Sequence, residues 1–381
     1  MGGTGKMELV SQLIANTTWQ NMVMMGVGAF LLYLAVEKDF EPNLLLPMGF
    51  GTILVNLPLS SALDQMAGTQ VVEGALSMLF RLGIATEILP LLILIAVGAM
   101  CDFGPLLANP KVFLFGLTAQ MGIFLTMGLA LLVGFNVYEA ASIGIIGAAD
   151  GPTSIYVSTR FAPHLLGPIS VAAYTYMALV PLIQPPVIMA LTTKKERMMK
   201  MPLAAKVVTR RARIIFPIAV TIVGGIIAPA SVALLGFVMF GNLLRESGVT
   251  ERLSQAAQNE LANIVTILLG FSIAATMTGE KFVNINTMII IAMGLIAFVL
   301  DTAGGVFTAK LLNLFLPEGK KINPMVGAAG ISAFPMSART IQKLGQKADP
   351  TNHLLMHAVG ANVAGQIGSV LAGGLLLAYL G

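Results

Sequence analysis

Charged side chains are scarce in this sequence. Asp, Glu, Lys and Arg make up only 10% of its 381 residues, whereas they make up about 25% of a typical soluble protein. Hydrophobic residues make up 56%, and the mean hydropathy is +0.85. Because a soluble fold of this length needs more polar surface, the composition excludes that class. It predicts an all-α polytopic membrane protein.

Cysteine and histidine are scarce as well. The one cysteine, Cys101, excludes an internal disulfide framework. The three histidines, His164, His353 and His357, are scattered, so no Cys/His cluster predicts a zinc or iron–sulfur centre. Residues 1–20 lack a basic region and a clear cleavage site, and we therefore expect no cleaved signal peptide.

Long apolar runs fill most of the chain. A hydrocarbon core of about 30 Å needs about 20 apolar residues in a helix, and the runs predict about nine to eleven transmembrane helices. We expect N-terminal helices that serve as a scaffold or in oligomerisation, a first repeat, a basic loop, a connecting helix and a second repeat. Their expected ranges are 1–70, 71–192, 193–213, 214–244 and 245–381.

Two apolar runs are too short to span the membrane. They are Glu139–Asp150 (EAASIGIIGAAD) and Ile322–Ala333 (INPMVGAAGISA), and Gly or Pro interrupts each of them or follows it. A helix of ten residues is about 15 Å long, which is half of the hydrocarbon core. Broken helices at this depth persist only inside protein or along a watery cavity. We therefore predict broken, re-entrant half-helices at 139–163 and 322–339.

The two short runs also resemble each other. GAADGPTSIYVSTR begins at Gly147, and GAAGISAFPMSAR begins at Gly327. Each follows two longer apolar segments, so the order of long helix, long helix and half-helix is repeated. Inverted repeats whose broken helices meet near the midplane are typical of ion-coupled transporters. We therefore predict an inverted repeat.

Asp150 is the most informative polar residue. It ends the first short run, and Thr153, Ser154, Tyr156 and the carbonyls around Gly151-Pro152 follow it. A carboxylate, hydroxyls and carbonyls are the ligands that a small hard cation prefers. A helix kink in which Asp150 caps the following helix is the alternative interpretation.

Other polar residues fall inside predicted spans. Tyr174 and Tyr176 share one segment, Asn362 and Ser369 share another, and Asp301 is a second candidate for a buried carboxylate. The tyrosines are candidates for interfacial anchors. Small residues around Asn362 are also compatible with simple close packing of helices.

Positive charge is concentrated in one segment. Residues 194–213 contain eight Lys or Arg residues and one Glu. Cytoplasmic loops of membrane proteins carry such an excess of positive charge. We therefore predict that loop 193–213 is cytoplasmic and that it binds no nucleic acid.

Four motifs resemble those of one family, and together they extend over nearly the whole chain. They are GAMCDFGPLLANPK, GAADGPTSIYVSTRFAP, NPMVGAAGISAFPMSAR and HAVGANVAGQIGSVLAGG. The sequence resembles the integral membrane β subunit of sodium-pumping, biotin-dependent decarboxylases, whose members act on oxaloacetate, methylmalonyl-CoA, glutaconyl-CoA or malonate. The pairing of GAADGPT with VGAAGISAFPMSAR is highly specific for this family.

The resemblance implies a set of functional residues. Asp150 matches the essential intramembrane aspartate, which binds sodium and exchanges it for a proton. The remaining matches imply further sodium ligands and a catalytic arginine that binds the carboxylate of carboxybiotin. The implied ligands are Tyr176, Asn323, Gly327, Ser332 and Asn362, and the implied arginine is Arg339.

The resemblance also implies a reaction and partners. This subunit decarboxylates carboxybiotin and couples that reaction to outward sodium transport with uptake of a proton. The implied partners are an α (carboxyltransferase) subunit, a biotin carrier subunit and a small γ or δ membrane subunit, in a homo-oligomeric complex of a prokaryotic cytoplasmic membrane. Met199–Met201 matches the biotin-bearing tripeptide of carrier domains, but it lies in a short loop. We therefore expect no covalent biotin on this chain.

Two other functions share this architecture. A secondary sodium/proton exchanger needs the broken helices and Asp150 but no carboxybiotin chemistry. A non-catalytic membrane anchor leaves the clustering of polar residues at the broken helices unexplained. The sequence alone leaves the substrate acid open, although the short loops favour the acyl-CoA members of the family.

Overall fold

The computed structural model describes residues 17–67, 70–202 and 208–381. Helices account for nearly all of its regular structure. This is expected in a membrane, because lipid cannot hydrogen-bond to backbone groups and a helix pairs these groups with each other. The all-α membrane class is therefore confirmed. Residues 1–16 of the predicted N-terminal region and residues 203–207 of the predicted basic loop lie outside the described residues.

The elements follow one another along the chain with short connections. The first are α1 (Trp19–Glu37), α2 (Pro42–Asn56), β1 (Gln65–Ala67), β2 (Gln70–Val72), α3 (Ala75–Gly83), α4 (Ile88–Met100), α5 (Gly104–Ala108), α6 (Phe113–Thr118), α7 (Met121–Val133) and α8 (Val137–Gly144). Then come α9 (Gly151–Phe161), α10 (Leu166–Ala178), α11 (Val180–Leu191), α12 (Lys194–Arg197), α13 (Arg210–Ile227), α14 (Val232–Ser247), α15 (Glu251–Ala256) and α16 (Ala262–Ala274). The last are α17 (Gly279–Phe282), α18 (Ile285–Phe315), α19 (Pro324–Ala328), α20 (Met336–Ala348) and α21 (Leu355–Leu380).

Length and composition identify several spans. Four helical stretches are long and apolar enough to cross a membrane alone, namely Trp19–Glu37, Pro110–Val133, Ile285–Phe315 and Leu355–Leu380. Two helix pairs qualify only together, because each pair bends at a short break: Ala75–Gly83 with Ile88–Met100, and Pro163–Ala178 with Val180–Leu191. The described residues thus contain four to six spans by this criterion, and the count of nine to eleven stays a prediction. The predicted repeats and their boundaries also stay predictions.

The chain divides into two compact units. The first comprises Met1–Pro90, as far as it is described, and Asn263–Ile290. Within it, α1 and α2 approach closely at two glycines, since a Cβ added to Gly28 would lie 2.7 Å from the Gly49 carbonyl oxygen. Small residues permit such close contact between membrane helices. β1 and β2 pair antiparallel with Met66 opposite Val71.

The second unit comprises Leu91–Ala262 and Ile291–Gly381. Its most buried long helix is α21, which contacts α5, α6, α9 and α20. Glycines let the backbones meet: a Cβ added to Gly365 of α21 would lie 2.2 Å from the carbonyl oxygen of Gly330. This close packing draws the irregular segment 329–335 against α21 and so brings both predicted broken helices to one helix.

Candidate functional site

The first break in the chain lies at Ala149 and Asp150. The short turn Ile145–Ala148 continues α8, and Ala149 then takes a left-handed backbone conformation with φ 52°. Asp150 begins α9 as its N-cap: its Oδ1 accepts from the Thr153 amide at 3.2 Å and its Oδ2 from the Thr153 hydroxyl at 2.7 Å. Pro152 fits the first turn of α9 because no intrahelical partner exists there for its missing N–H.

A third hydrogen bond reaches Asp150 from a distant helix. The Ser369 hydroxyl of α21 donates to Oδ2 at 2.6 Å. The Asp150 side chain caps α9, as the alternative interpretation predicts, but a local cap leaves this contact 219 residues away unexplained. Two hydroxyls and one amide therefore converge on one carboxylate.

Asp150 is buried, with 4% of its surface exposed. None of the ion pairs between residues of the described ranges includes it. Removing an unpaired carboxylate from water costs several kcal/mol even when hydrogen bonds reach it. The Asp150 carboxylate is therefore expected to bind either a proton or a cation.

The second broken segment lies directly against the first. Both the amide and the hydroxyl of Ser332 donate to the Ala148 carbonyl, at 3.1 and 2.7 Å. Ala148 is two residues before Asp150, so the two breaks meet where the resemblance implies an ion site. The predicted segment 322–339 itself consists of α19, an irregular stretch with a cis Phe334–Pro335 peptide, and the beginning of α20.

Two amides of α21 hold the second break in place. The Asn362 side chain donates to the Ile331 carbonyl at 2.6 Å, and the Gln366 side chain donates to the Ser332 carbonyl. Asn362 Oδ1 is buried and accepts no hydrogen bond from a described residue. An oxygen acceptor thus remains free beside the break.

The two tyrosines of α10 have different surroundings. The Tyr176 hydroxyl donates to the Ile291 carbonyl of α18. The Tyr174 ring lies on Gly151, where an added Cβ would be 2.4 Å from its Cζ. The Tyr174 hydroxyl is buried and has no hydrogen-bond partner among the described residues. Tyr174, rather than Tyr176, therefore lies against the residue that follows Asp150.

No hydrogen bond between described residues joins Asn323 or Gly327 to Asp150. Asn323 caps α19 and donates to the carbonyls of Arg197 and Met199, at 3.0 and 2.9 Å. Gly327 packs against α18, because a Cβ there would lie 2.0 Å from the carbonyl oxygen of Gly305. Both residues fix the second broken segment in position.

Arg339 lies on the exposed side of α20. No hydrogen bond or ion pair between described residues uses its guanidinium, whereas Ser337 two residues earlier is buried and bonded to Gln184. A free guanidinium at this position is available to a ligand from outside the chain.

Some contacts at the breaks had no sequence prediction. The sequence places Ser369 only in the same predicted span as Asn362, and it predicts no role for Gln366 or Gln184. The signal for Gln366 is its spacing, since it is four residues after Asn362 and three before Ser369 on one apolar helix. An amide in such a helix must find a partner.

Polar contacts also hold the beginning of the predicted basic loop. Lys200 pairs with Asp349 at 3.3 Å and donates to the Thr351 hydroxyl at 2.7 Å. The hydroxyl and amide of Thr351 hold the pKa of the Asp349 carboxyl below its usual value. Asn352 shares the carbonyl of Arg197 with Asn323. The segment at 197–200 is thus fastened to the connections before α19 and after α20.

Fold and site together define a class of protein. A helical membrane protein that buries an unpaired carboxylate at a break between two half-helices has the arrangement of an ion-coupled transporter. Among the described residues, no three His, Cys, Asp or Glu side chains come together. The site is therefore built on a single carboxylate and neutral oxygens, which suits a monovalent cation better than a transition metal.

Residues 20–380 match the family described as the Na+-transporting oxaloacetate decarboxylase beta subunit. The chain belongs to this family. It is 51% identical to the glutaconyl-CoA decarboxylase subunit beta of Acidaminococcus fermentans, over 96% of this chain and 94% of that protein. It is 52% identical to the methylmalonyl-CoA decarboxylase subunit beta of Veillonella parvula, over 97% and 95%. It is 45% identical to the oxaloacetate decarboxylase beta chain of Klebsiella pneumoniae, over 94% of each.

Family membership confirms the expected class of activity. The chain is a multi-pass membrane protein that contributes to a sodium-transporting carboxylic acid decarboxylase as one subunit. The resemblance stated from the four motifs is thereby confirmed.

Proposed function

We propose that this chain decarboxylates carboxybiotin delivered by a partner subunit and couples this reaction to outward sodium transport with uptake of a proton. The proposal is supported chiefly by the position of Asp150. It is a buried carboxylate without an ion pair, at a break where hydroxyls and amides converge. A proton and a sodium ion both neutralise such a group, and their exchange is the coupling step.

Sodium binds at the Asp150 carboxylate. The hydroxyls of Thr153 and Ser369 now donate to Oδ2, and rotation of their protons turns their oxygens towards a cation instead. Asn362 Oδ1 supplies a further acceptor. The Ser332 hydroxyl, which donates to the Ala148 carbonyl in the structure, supplies another oxygen for sodium.

The other implied ligands support the site. Tyr176 connects α10 to α18 through the Ile291 carbonyl. Asn323 and Gly327 hold α19 against the 197–199 backbone and against α18. We propose that these three residues position the two breaks, so that their replacement changes sodium affinity through geometry.

The chemical step consumes one proton for each carbon dioxide released. The C–N bond of carboxybiotin breaks, carbon dioxide leaves, and the ureido nitrogen takes the proton. Arg339 binds the carboxylate of carboxybiotin, because an exposed guanidinium without a partner can form a paired hydrogen bond to it. Asp150 yields its proton when sodium binds.

The membrane orientation follows from the basic segment. We propose that loop 193–213 faces the cytoplasm of a prokaryotic cell, in its cytoplasmic membrane. The α subunit and the biotin carrier dock on that face, and a small γ or δ subunit and further copies of this chain complete the complex. Asn323 fastens this loop to the second broken segment and Asn352 fastens it to the connection after α20, which supports a coupling between docking and ion binding.

The substrate of the whole complex is an acyl-CoA in this proposal. Both relatives named for CoA thioesters align over 364 and 370 residues at 51% and 52% identity. The oxaloacetate relative aligns over 412 positions at 45%, which is more than the length of this chain and requires gaps. A sodium/proton exchanger without decarboxylase chemistry has the same site geometry. The two functions differ only in whether the chain decarboxylates carboxybiotin.

Replacing Ser369 by Ala is expected to raise the sodium concentration for half-maximal turnover about tenfold. The change removes a hydroxyl that touches the ion-binding carboxylate, and a bond to a charged group contributes about 1.5–3 kcal/mol. Sodium titration of the assembled decarboxylase measures the effect. Ser158→Ala is the matched control, because this buried serine of α9 has no hydrogen-bond partner among the described residues. Equal sodium dependence in the two variants removes Ser369 from the site.

Replacing Ser332 by Ala is expected to have a smaller effect of the same sign, roughly threefold. The Ala148 carbonyl keeps the bond from the Ser332 amide when the hydroxyl bond is lost, and a neutral hydrogen bond contributes about 1 kcal/mol. The same titration measures it. An unchanged sodium dependence excludes the Ser332 hydroxyl from ion binding.

A further inference from the structure

A second carboxylate lies in the membrane interior, outside the site described above. Asp301 is halfway along α18, with none of its surface exposed. Neither of its oxygens makes a well-formed hydrogen bond to a described residue, and no ion pair of the described ranges includes it. A lone carboxylate charge in these surroundings is strongly unfavourable. The group therefore needs a proton or a cation.

Two glycines enclose the Asp301 carboxylate. A Cβ added to Gly122 of α7 would lie 2.5 Å from Oδ1, and one added to Gly147 would lie 2.5 Å from Oδ2. Gly147 is three residues before Asp150 and is followed by Ala148, whose carbonyl binds Ser332. The Asp301 carboxylate thus lies directly against the turn that leads into the sodium site.

The surroundings of Asp301 favour a proton over a metal cation. The amides of Gly122 and Ile123, at the beginning of α7, lie near the carboxylate, and their positive partial charge repels a metal cation but also stabilises the ionised carboxylate. Complete burial of the group acts against the ionised form and so favours a bound proton. A sodium ion needs several oxygen ligands, whereas a proton needs one acceptor. The Ala297 carbonyl oxygen lies 2.7 Å from the same Gly122 Cβ position, so a backbone acceptor of α18 borders the space next to Oδ1.

No other titratable side chain takes part in these contacts. The beginning of α7 contributes Gly122 and Ile123, the turn before the break contributes Gly147, and α18 itself contributes Ala297. Asp150 is the next ionisable residue along the chain from Gly147. Thr302 and Thr126, on the same two helices, have buried hydroxyls without partners among the described residues. Asp150 is thus the ionisable residue nearest in sequence to the turn that Asp301 contacts.

We propose that Asp301 is a proton-binding carboxyl of the transport pathway and supplies the proton that replaces sodium at Asp150. The O–H bond of Asp301 breaks, Asp150 gains the proton as its sodium ion leaves, and Asp301 regains a proton from the membrane face opposite to carboxybiotin. This proposal rests on the proposed function for the role of Asp150, although the protonation of Asp301 itself is a separate property.

Infrared spectroscopy of the purified full chain tests the protonation. At about pH 8 exposed carboxylates are ionised, so the carbonyl stretch of protonated carboxyl groups reports buried ones. We expect one component that sodium removes and one that sodium leaves unchanged. Asp150→Asn removes the first and Asp301→Asn removes the second. Thr302→Val is the matched control, since it changes the neighbouring buried residue and leaves both components in place.

The outcomes separate the two proposals. If the wild-type chain lacks a sodium-insensitive component, or if Asp301→Asn leaves it in place, Asp301 is ionised at the beginning of α7 and the proposal is overturned. The wild-type measurement decides this even if the variant fails to fold. If sodium changes no component, the proposed function of Asp150 fails while the protonation of Asp301 stands. In the assembled complex, we expect Asp301→Asn to slow sodium-dependent turnover on the order of 100-fold. We expect Thr302→Val to leave this turnover unchanged.

Discussion

Replacing Asp150 by Asn is expected to abolish sodium-dependent turnover of the assembled decarboxylase while assembly remains intact. The amide has nearly the same size, and its oxygen can take the place of Oδ2, which accepts from the hydroxyls of Thr153 and Ser369. It carries no charge and no titratable proton, so it cannot exchange a sodium ion for a proton. Because the carboxylate has no ion-pair partner, its neutralisation leaves no opposite charge unpaired. The variant therefore separates charge from packing.

The matched control for this variant is Asp64→Asn. Asp64 is a carboxylate of the first unit that accepts from the Gly74 amide and pairs with Arg81 at the surface. We expect sodium-dependent turnover to be unchanged in this control. Size-exclusion chromatography of both complexes checks assembly. Normal sodium-dependent turnover in Asp150→Asn contradicts the assignment of Asp150 as the ion-binding carboxylate.

Replacing Arg339 by Ala is expected to reduce carboxybiotin decarboxylation about 10- to 100-fold, chiefly by weakening the binding of carboxybiotin. A charge-assisted pair of hydrogen bonds to a carboxylate contributes about 1.5–3 kcal/mol. Arg339→Lys restores part of the activity, since an ammonium keeps the charge but lacks the fork. The rate is measured against the concentration of free carboxybiotin at saturating sodium.

Lys343→Ala is the matched control for Arg339. It removes an exposed cation from the same helix, four residues later. If both variants lose the same activity, the positive charge of α20 acts on partner docking and not on the carboxylate. A reduced rate that persists at saturating carboxybiotin points to a part for Arg339 in the chemical step as well.

The broken helices could be predicted from sequence because their cause is local. Two apolar runs half as long as a span, each interrupted or followed by Gly or Pro, leave backbone groups that lipid cannot satisfy. The structure has its breaks at Ala149–Asp150 and in the stretch after α19, within the predicted ranges 139–163 and 322–339. The number of spans was harder to predict, because short breaks divide apolar runs such as Pro163–Leu191 into helices that bend by 70°.

Which polar residues meet could not be predicted from local pattern. Ser369 and Asp150 are 219 residues apart and come together because glycines of α21 admit a neighbouring backbone. The resemblance implied Asn323 as a sodium ligand, but its amide contacts carbonyls of Arg197 and Met199, far along the chain. Motif identity thus marked the important segments, while packing decided which side chains reach the carboxylate.

The burial of Asp301 could be predicted from sequence, but its neighbours could not. Its sequence context, an acidic residue inside an apolar run, predicts a buried carboxylate. Its contact with Gly147 depends on how α18 crosses the turn before Asp150. Only the three-dimensional arrangement relates the two carboxylates to each other.

The most direct test of the central claim uses this chain alone. The purified subunit is reconstituted in liposomes, free carboxybiotin is added, and its decay is followed with and without sodium. We expect sodium to accelerate the decay and Asp150→Asn to remove that acceleration. Sodium/proton exchange across the liposome without any decay of carboxybiotin, in the reconstituted chain and also in the assembled complex, would contradict the account and assign the chain to the exchangers.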